Sequence, residues 1–170
     1  MPRGQVLLLA ASPWFIWSSL LLALLVDFLP LGRLPWWPDL LAMTLVFWAV
    51  HQPRRVAIGA GFLFGLLLDV QHSGLLGQHA LGYSVLTYLA IASHRRLLWF
   101  SLRQQTLQVL PLFAAVTLME FALRMGFGAT APGWSLVLAP LLQAGLWQPL
   151  CWLLLAPQRR APDADANRPL

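Results

Sequence analysis

An all-α bundle of about six transmembrane helices is the fold this sequence predicts, and three observations predict it. Of 170 residues, 59% are hydrophobic and only 10% are charged, with a mean hydropathy of +0.68, whereas a soluble domain carries about 25% charged residues. Apolar runs follow one another from Trp14 to Leu155, and roughly 20 such residues cross a hydrocarbon core of about 30 Å as a helix. The arginines fall in short clusters between the runs, which is how the loops of polytopic membrane proteins are marked. The same hydrophobicity excludes a disordered chain, and a net charge of +5 divided among loops argues against nucleic acid as a partner.

Taken in order, the first span is expected from Trp14 to Leu29 and the second from Trp36 to Val50. The third is expected from Val56 to Val70 and the fourth from Leu75 to Ala92. The fifth runs from Leu107 to Leu123 and the sixth from Ser135 to Leu155. Spans two and three are short. A re-entrant hairpin would bury Arg54 and Arg55 between them at several kcal/mol each, so two thin crossings are expected. With only Arg3 as a charged region ahead of it, the first span reads as an uncleaved helix, not a signal peptide. Residues 1–157 thus form one six-helix domain, and 158–170, rich in Pro, Arg, Asp and Ala, form a short disordered tail.

Orientation follows from the basic residues, all of which are arginine. Arg3, Arg54, Arg55, Arg95, Arg96, Arg103, Arg159, Arg160 and Arg168 lie on one side of the bundle, and Arg33 and Arg124 on the other. That asymmetry puts both termini in the cytoplasm. Trp14, Trp48, Trp99 and Trp152 then fall near the inner interface and Trp36, Trp37 and Trp134 near the outer one, as an aromatic belt requires.

Within this frame the acids Asp27, Asp39, Asp69 and Glu120 all map to the outer half, at the level of Arg33 and Arg124. Glu120 and Arg124 have the i,i+4 spacing of an ion pair on one helix face, the structural alternative to a ligand contact. Asp27 and Asp39 read either as solvated helix ends or as site residues. Asp69 lies deeper, with no basic residue near it in sequence, and is the strongest functional candidate. Gly61, Gly65 and Asp69 are spaced as a GxxxG stripe that admits a neighbouring backbone, and Ser19, Ala23 and Asp27 repeat the pattern. His79, Tyr83 and Thr87 form one polar stripe and Thr117, Glu120 and Arg124 another. Such stripes must face protein or water.

Catalytic signatures fail. Gly82-Tyr83-Ser84-Val85-Leu86 ends in leucine where a nucleophile elbow needs glycine, and the chain carries no HExxH, Walker loop or dinucleotide fingerprint. The absence of lysine removes Schiff-base and Ser/Lys chemistry. A single cysteine, Cys151, cannot form an internal disulfide or a cysteine zinc cluster. His72 and His79, seven residues apart, match no short zinc spacing. No enzyme activity, cofactor or metal is therefore expected.

Pro38-Asp39-Leu40-Leu41, then Phe47-Trp48, the Pro53-Arg54-Arg55 turn, and Gly61-Phe62-Leu63-Phe64-Gly65-Leu66-Leu67-Leu68-Asp69 resemble the rod shape-determining family MreD. Ser73-Gly74-Leu75-Leu76-Gly77-Gln78-His79-Ala80-Leu81 continues the likeness, which covers about 13–157 and is specific between Pro38 and Tyr88. The resemblance implies a multi-pass component of the bacterial inner membrane, in the elongation machinery for peptidoglycan. It implies direct association with MreC and, through MreC, with MreB, RodA and the elongation transpeptidase. It also implies a fold similar to the substrate-binding subunits of energy-coupling-factor transporters. Pro38, Asp39, Gly65, Asp69 and Gly77 carry over from the family pattern.

Two functions compete. A scaffold, suggested by the small-residue stripes and the missing catalytic machinery, would pack a partner's membrane helix against one face of the bundle and engage it at the outer polar layer, with the lipid bilayer around it and homo-oligomers allowed, although such stripes are more often plain packing within a chain. A transporter subunit would bind a small molecule in an outward-facing pocket lined by Asp27, Asp39, Asp69, His79 and Glu120. Ala10, Ala11 and Ala23 are followed four residues later by Trp14, Phe15 and Asp27, so the Ala-x-x-x-Ala coupling pattern of those subunits is missing. The scaffold is the preferred reading.

Overall fold

The computed structural model describes residues 11–29, 37–72, 76–128, 133 and 135–158. Among them are six α-helices and no strand: α1 (Pro13–Phe28), α2 (Leu40–His51), α3 (Ile58–His72), α4 (Gln78–Trp99), α5 (Leu102–Gly126) and α6 (Ser135–Leu155). Each expected apolar run overlaps one helix. A 3-10 turn, Ala156–Gln158, continues α6 with Gln158 buried, so the chain keeps defined structure at the first residue of the expected tail. The rest of that tail, with Arg3, Arg33, Trp36 and Trp134, lies outside the described residues.

The helix ends are chemical before they are hydrophobic. Ser12 caps α1 by accepting from the Phe15 N–H, with Pro13 at the first helical position, where its missing N–H costs nothing. Asp39 caps α2, its Oδ1 accepting from the Ala42 N–H at 2.7 Å. This cap makes α2 begin at Leu40 instead of Trp36. At the α5 start the Gln104 side chain accepts from the Ser101 backbone N–H at 3.3 Å. Both α4 and α5 extend into polar sequence, to Trp99 and back to Leu102, because counting apolar residues finds only the lipid-compatible part of a helix.

The shortest helix is the centre of the molecule. Every residue of α2 from Leu41 to Val50 is buried, the behaviour of a helix that is apolar all round. It packs against α1, α4 and α6, while α3 pairs with α4, α4 with α5, and α5 with α6. At about 1.5 Å per residue, its 12 residues cover about 18 Å. Among the described residues two helices, Leu102–Gly126 and Val137–Gln158, are long and apolar enough to cross a membrane by length and composition.

Trp48 departs from its expected place in an interfacial belt. It is fully buried, donating from Nε1 to Ser19 Oγ at 2.8 Å and packing edge-on to Phe15 and Phe47. A tryptophan settles in a core when its indole N–H finds an acceptor, and Ser19 supplies one from α1. Trp14, Trp99 and Trp152 are exposed.

Candidate functional site

The acids of the sequence converge at one end of the bundle, as their spacing predicts, but most of them act on backbone. Asp69, near the end of α3, is 1% exposed. Its Oδ2 accepts from the N–H groups of Gly77 at 2.9 Å and Ala80 at 3.1 Å. Its Oδ1 accepts from the His79 N–H at 2.9 Å and faces the same residue's Nδ1 at 2.8 Å. The carboxylate thus satisfies the orphan donors of the first turn of α4, where the helix dipole favours negative charge. Gly77 caps that turn at φ +95°, a left-handed conformation that favours glycine. The strongest functional candidate in the sequence is therefore a cap closing the α3–α4 hairpin.

The glycine stripe feeding Asp69 serves the same hairpin. A methyl at Gly61 would stand 2.5 Å from Thr87 Oγ1 and 2.6 Å from the Tyr83 carbonyl oxygen, and one at Gly65 would collide with the His79 carbonyl and the Ala80 backbone. The close approach predicted for this stripe is real, and its occupant is α4 of the same chain. Ser19, Ala23 and Asp27 likewise face α2: Ser19 holds Trp48, Ala23 is buried, and Asp27 Oδ2 accepts from the Leu41 N–H at 2.8 Å. Both stripes pack against helices of the same chain, as small-residue stripes ordinarily do.

Asp27 and Asp39 meet at the α2 N-terminus, where free N–H groups and the dipole stabilise anions. Behind buried Pro38, Asp39 Oδ2 accepts from the Tyr83 hydroxyl. Tyr83 is 1% exposed and lies among Asp27, Asp39 and Glu120. Across α4, the Glu120 side chain occupies the space beside Gly82, touching the position a Cβ would take. Gly82→Ala pushes against the free end of a flexible side chain, so the expected cost is about 1 kcal/mol. Thermal unfolding of the single variants and of Gly82→Ala with Glu120→Ala checks this: the penalty should vanish in the double variant.

Arg124 does not pair with Glu120. It is exposed, and among the described residues the single ion pair within 4.0 Å is His79 with Asp69. An i,i+4 spacing permits a pair, but the Glu120 carboxylate lies against Gly82 of α4, away from its own helix surface. Nor does the layer hold a group of three His, Cys, Asp or Glu side chains suited to a metal among the described residues.

The layer also borders a partly open cavity of about 40 Å³, lined on its polar side by Asp39, Tyr83, Thr117, Glu120 and Gln143. That volume admits a few water-sized occupants and falls far below the roughly 300 Å³ of the smallest common ligand pockets. Asp27, Asp69 and His79 are outside the lining of this cavity. Gln143 was not anticipated. Its signal was present as a lone amide within Leu141-Leu142-Gln143-Ala144-Gly145, since a polar side chain in an apolar helix must face protein or water.

The family model for rod shape-determining protein MreD matches residues 10–155. The chain is 30% identical to the rod shape-determining protein MreD of Haemophilus influenzae over 154 residues, covering 86% of this chain and 92% of that protein. It is 36% identical over 53 residues to the protein of the same name from Bacillus subtilis, covering 31% of each. No solved structure matches, and the expected likeness to energy-coupling-factor subunits gains no support from that comparison. The chain belongs to the MreD family of rod shape-determining proteins.

Proposed function

We propose that this chain is a multi-pass scaffold of the bacterial inner membrane, with both termini in the cytoplasm, in the machinery that elongates peptidoglycan and maintains rod shape. Its direct partner is MreC, and through MreC it reaches MreB, RodA and the elongation transpeptidase. The observation that carries this reading is the family match across residues 10–155. The arrangement of the acids supports a non-catalytic role, because Asp27, Asp39 and Asp69 are spent on the N-termini of α2 and α4. With the glycine seam filled by α4, the partner helix falls to an outward face. Leu21, Leu22 and Leu25 of α1 and Phe62, Leu63 and Leu67 of α3 are exposed apolar side chains that suit lipid or such a helix.

Affinity purification of a tagged copy from native membranes in mild detergent tests this, with mass spectrometry of co-eluting proteins and small molecules. The expected result is stoichiometric MreC with cell-wall synthases. Recovery of an ATPase with a coupling subunit, or of one defined metabolite without MreC, would sink the scaffold and restore the transporter reading.

A further inference from the structure

Charge is divided between the two ends of the bundle. The described acids, Asp27, Asp39, Asp69 and Glu120, gather at one end, and five of the six described arginines, Arg54, Arg55, Arg95, Arg96 and Arg103, gather at the other. Helix register brings the arginines together. Gly61 lies against Tyr83 and Thr87, and Gly65 against His79 and Ala80, so α3 and α4 run antiparallel and the start of α3 meets the last turns of α4. At about 1.5 Å per residue, Arg54 and Arg55 lie within about two turns of Arg95 and Arg96 along the bundle axis. Arg103 follows in the first turn of α5. All five are exposed, and Arg55 donates to the Ala11 carbonyl at 2.8 Å. None meets a carboxylate within 4.0 Å among the described residues, where the one ion pair joins His79 to Asp69. The sequence beyond Gln158 brings three arginines against two aspartates, which leaves the charge of this end standing.

Like charges gathered at one end repel one another, and an anion among them relieves the repulsion. A guanidinium presents a planar fork of N–H donors that holds phosphate oxygens two at a time. The surface beside the arginines selects a phosphate that carries hydrocarbon. Trp99 is 92% exposed and follows Arg95 and Arg96 by four and three residues in α4, which puts all three on one helix face. Its neighbours Leu98 and Phe100 are exposed as well. Indole rings placed this way sit at the headgroup level of a bilayer, and basic groups between membrane helices hold anionic headgroups there. We propose that this arginine end is a binding surface for anionic phospholipid. Arg95, Arg96 and Arg54 hold the headgroup phosphate at the mouth of the α3–α4 hairpin, and the acyl chains lie along the apolar surface beside Trp99. An acidic protein would match the charge but gives no reason for the apolar rim. The inference rests on the membrane reading above and is independent of MreC.

The full chain, purified without partners in an uncharged detergent, is unfolded thermally with added phosphatidylglycerol, phosphatidylcholine, inorganic phosphate or polyglutamate at one ionic strength. Solubility of the folded chain without detergent would overturn the membrane reading and the lipid surface together; every other outcome bears on the surface alone. A saturable rise in Tm with phosphatidylglycerol, absent with the other three, is expected, because a ligand bound only by the folded state stabilises it. Replacing Arg95 and Arg96 together by glutamine should raise the half-saturating concentration about tenfold or more, and Arg54→Gln about fivefold. Arg124→Gln, at the opposite end, should leave it unchanged. Equal Tm with the two phospholipids overturns the surface, and so does equal weakening by Arg124→Gln, the mark of attraction to net charge alone. An equal rise with inorganic phosphate would assign a site for free anions, and a rise with polyglutamate alone a surface for an acidic protein; either overturns the lipid. Should the double variant fail to fold, Arg54→Gln carries the test.

Discussion

Replacing Asp69 by alanine is expected to cost about 3–5 kcal/mol of unfolding free energy, the largest effect of any single polar change in the chain. One carboxylate meets three backbone N–H groups, of Gly77, His79 and Ala80, together with the His79 ring. At 1% exposure water cannot take its place. Removing it deprives α4 of its cap and strands several buried donors at once. Asp69→Asn keeps one acceptor oxygen but points an amide NH2 at the same N–H groups, so it should recover only part of the loss. Detergent-solubilised protein titrated with SDS and followed by tryptophan fluorescence gives the ordering wild type, Asn, Ala. A loss below about 1 kcal/mol for Asp69→Ala would show that helix packing alone holds the hairpin.

Gly65→Ala is the second large effect, expected to destabilise by about 2–3 kcal/mol even though alanine is the better helix former by about 1 kcal/mol. The added methyl meets the His79 carbonyl and the Ala80 backbone, and backbone cannot swing aside as a side-chain tip does. Helices α3 and α4 must separate, which also pulls Asp69 away from the cap it makes. Gly59, in the same helix, is the internal control: a methyl there meets nothing within 4 Å, so Gly59→Ala should be neutral or stabilising by up to about 1 kcal/mol. Equal behaviour of the two variants in the same SDS titration would remove the close-packed seam from the account of this fold.

The residues differ in how legible they were. Gly61, Gly65 and Asp69 announced a seam because small residues four apart lie on one helix face whatever surrounds them. Asp27, Asp39 and Glu120 announced a common level because helix rise turns residue counts into heights. Neither argument names the neighbour. The spacing favours ordinary packing over a docking stripe for another protein but names no helix, and only the structure shows that α4 packs against Gly61 and Gly65. Trp48 read as an interfacial anchor because its height was right. Its burial depends on Ser19, 29 residues away, which periodicity within one helix cannot report. Arg124 read as the partner of Glu120 because i,i+4 spacing allows it, yet the carboxylate turned to Gly82.

By itself the sequence determined a hydrophobic, all-helical chain, the number and approximate places of its helices, and the gathering of its acids at one end. These follow from composition, hydropathy and the fixed rise of a helix, which are properties of the chain taken locally. Tertiary structure decided what each polar group does: Asp69 caps α4, Asp27 and Asp39 hold the start of α2, and Gln143 joins Asp39, Tyr83, Thr117 and Glu120 in lining one cavity. A buried polar atom is defined by whoever satisfies it. Here the Leu41 N–H reaches Asp27 across 14 positions and the Tyr83 hydroxyl reaches Asp39 across 44, so their roles exist only once the helices have packed.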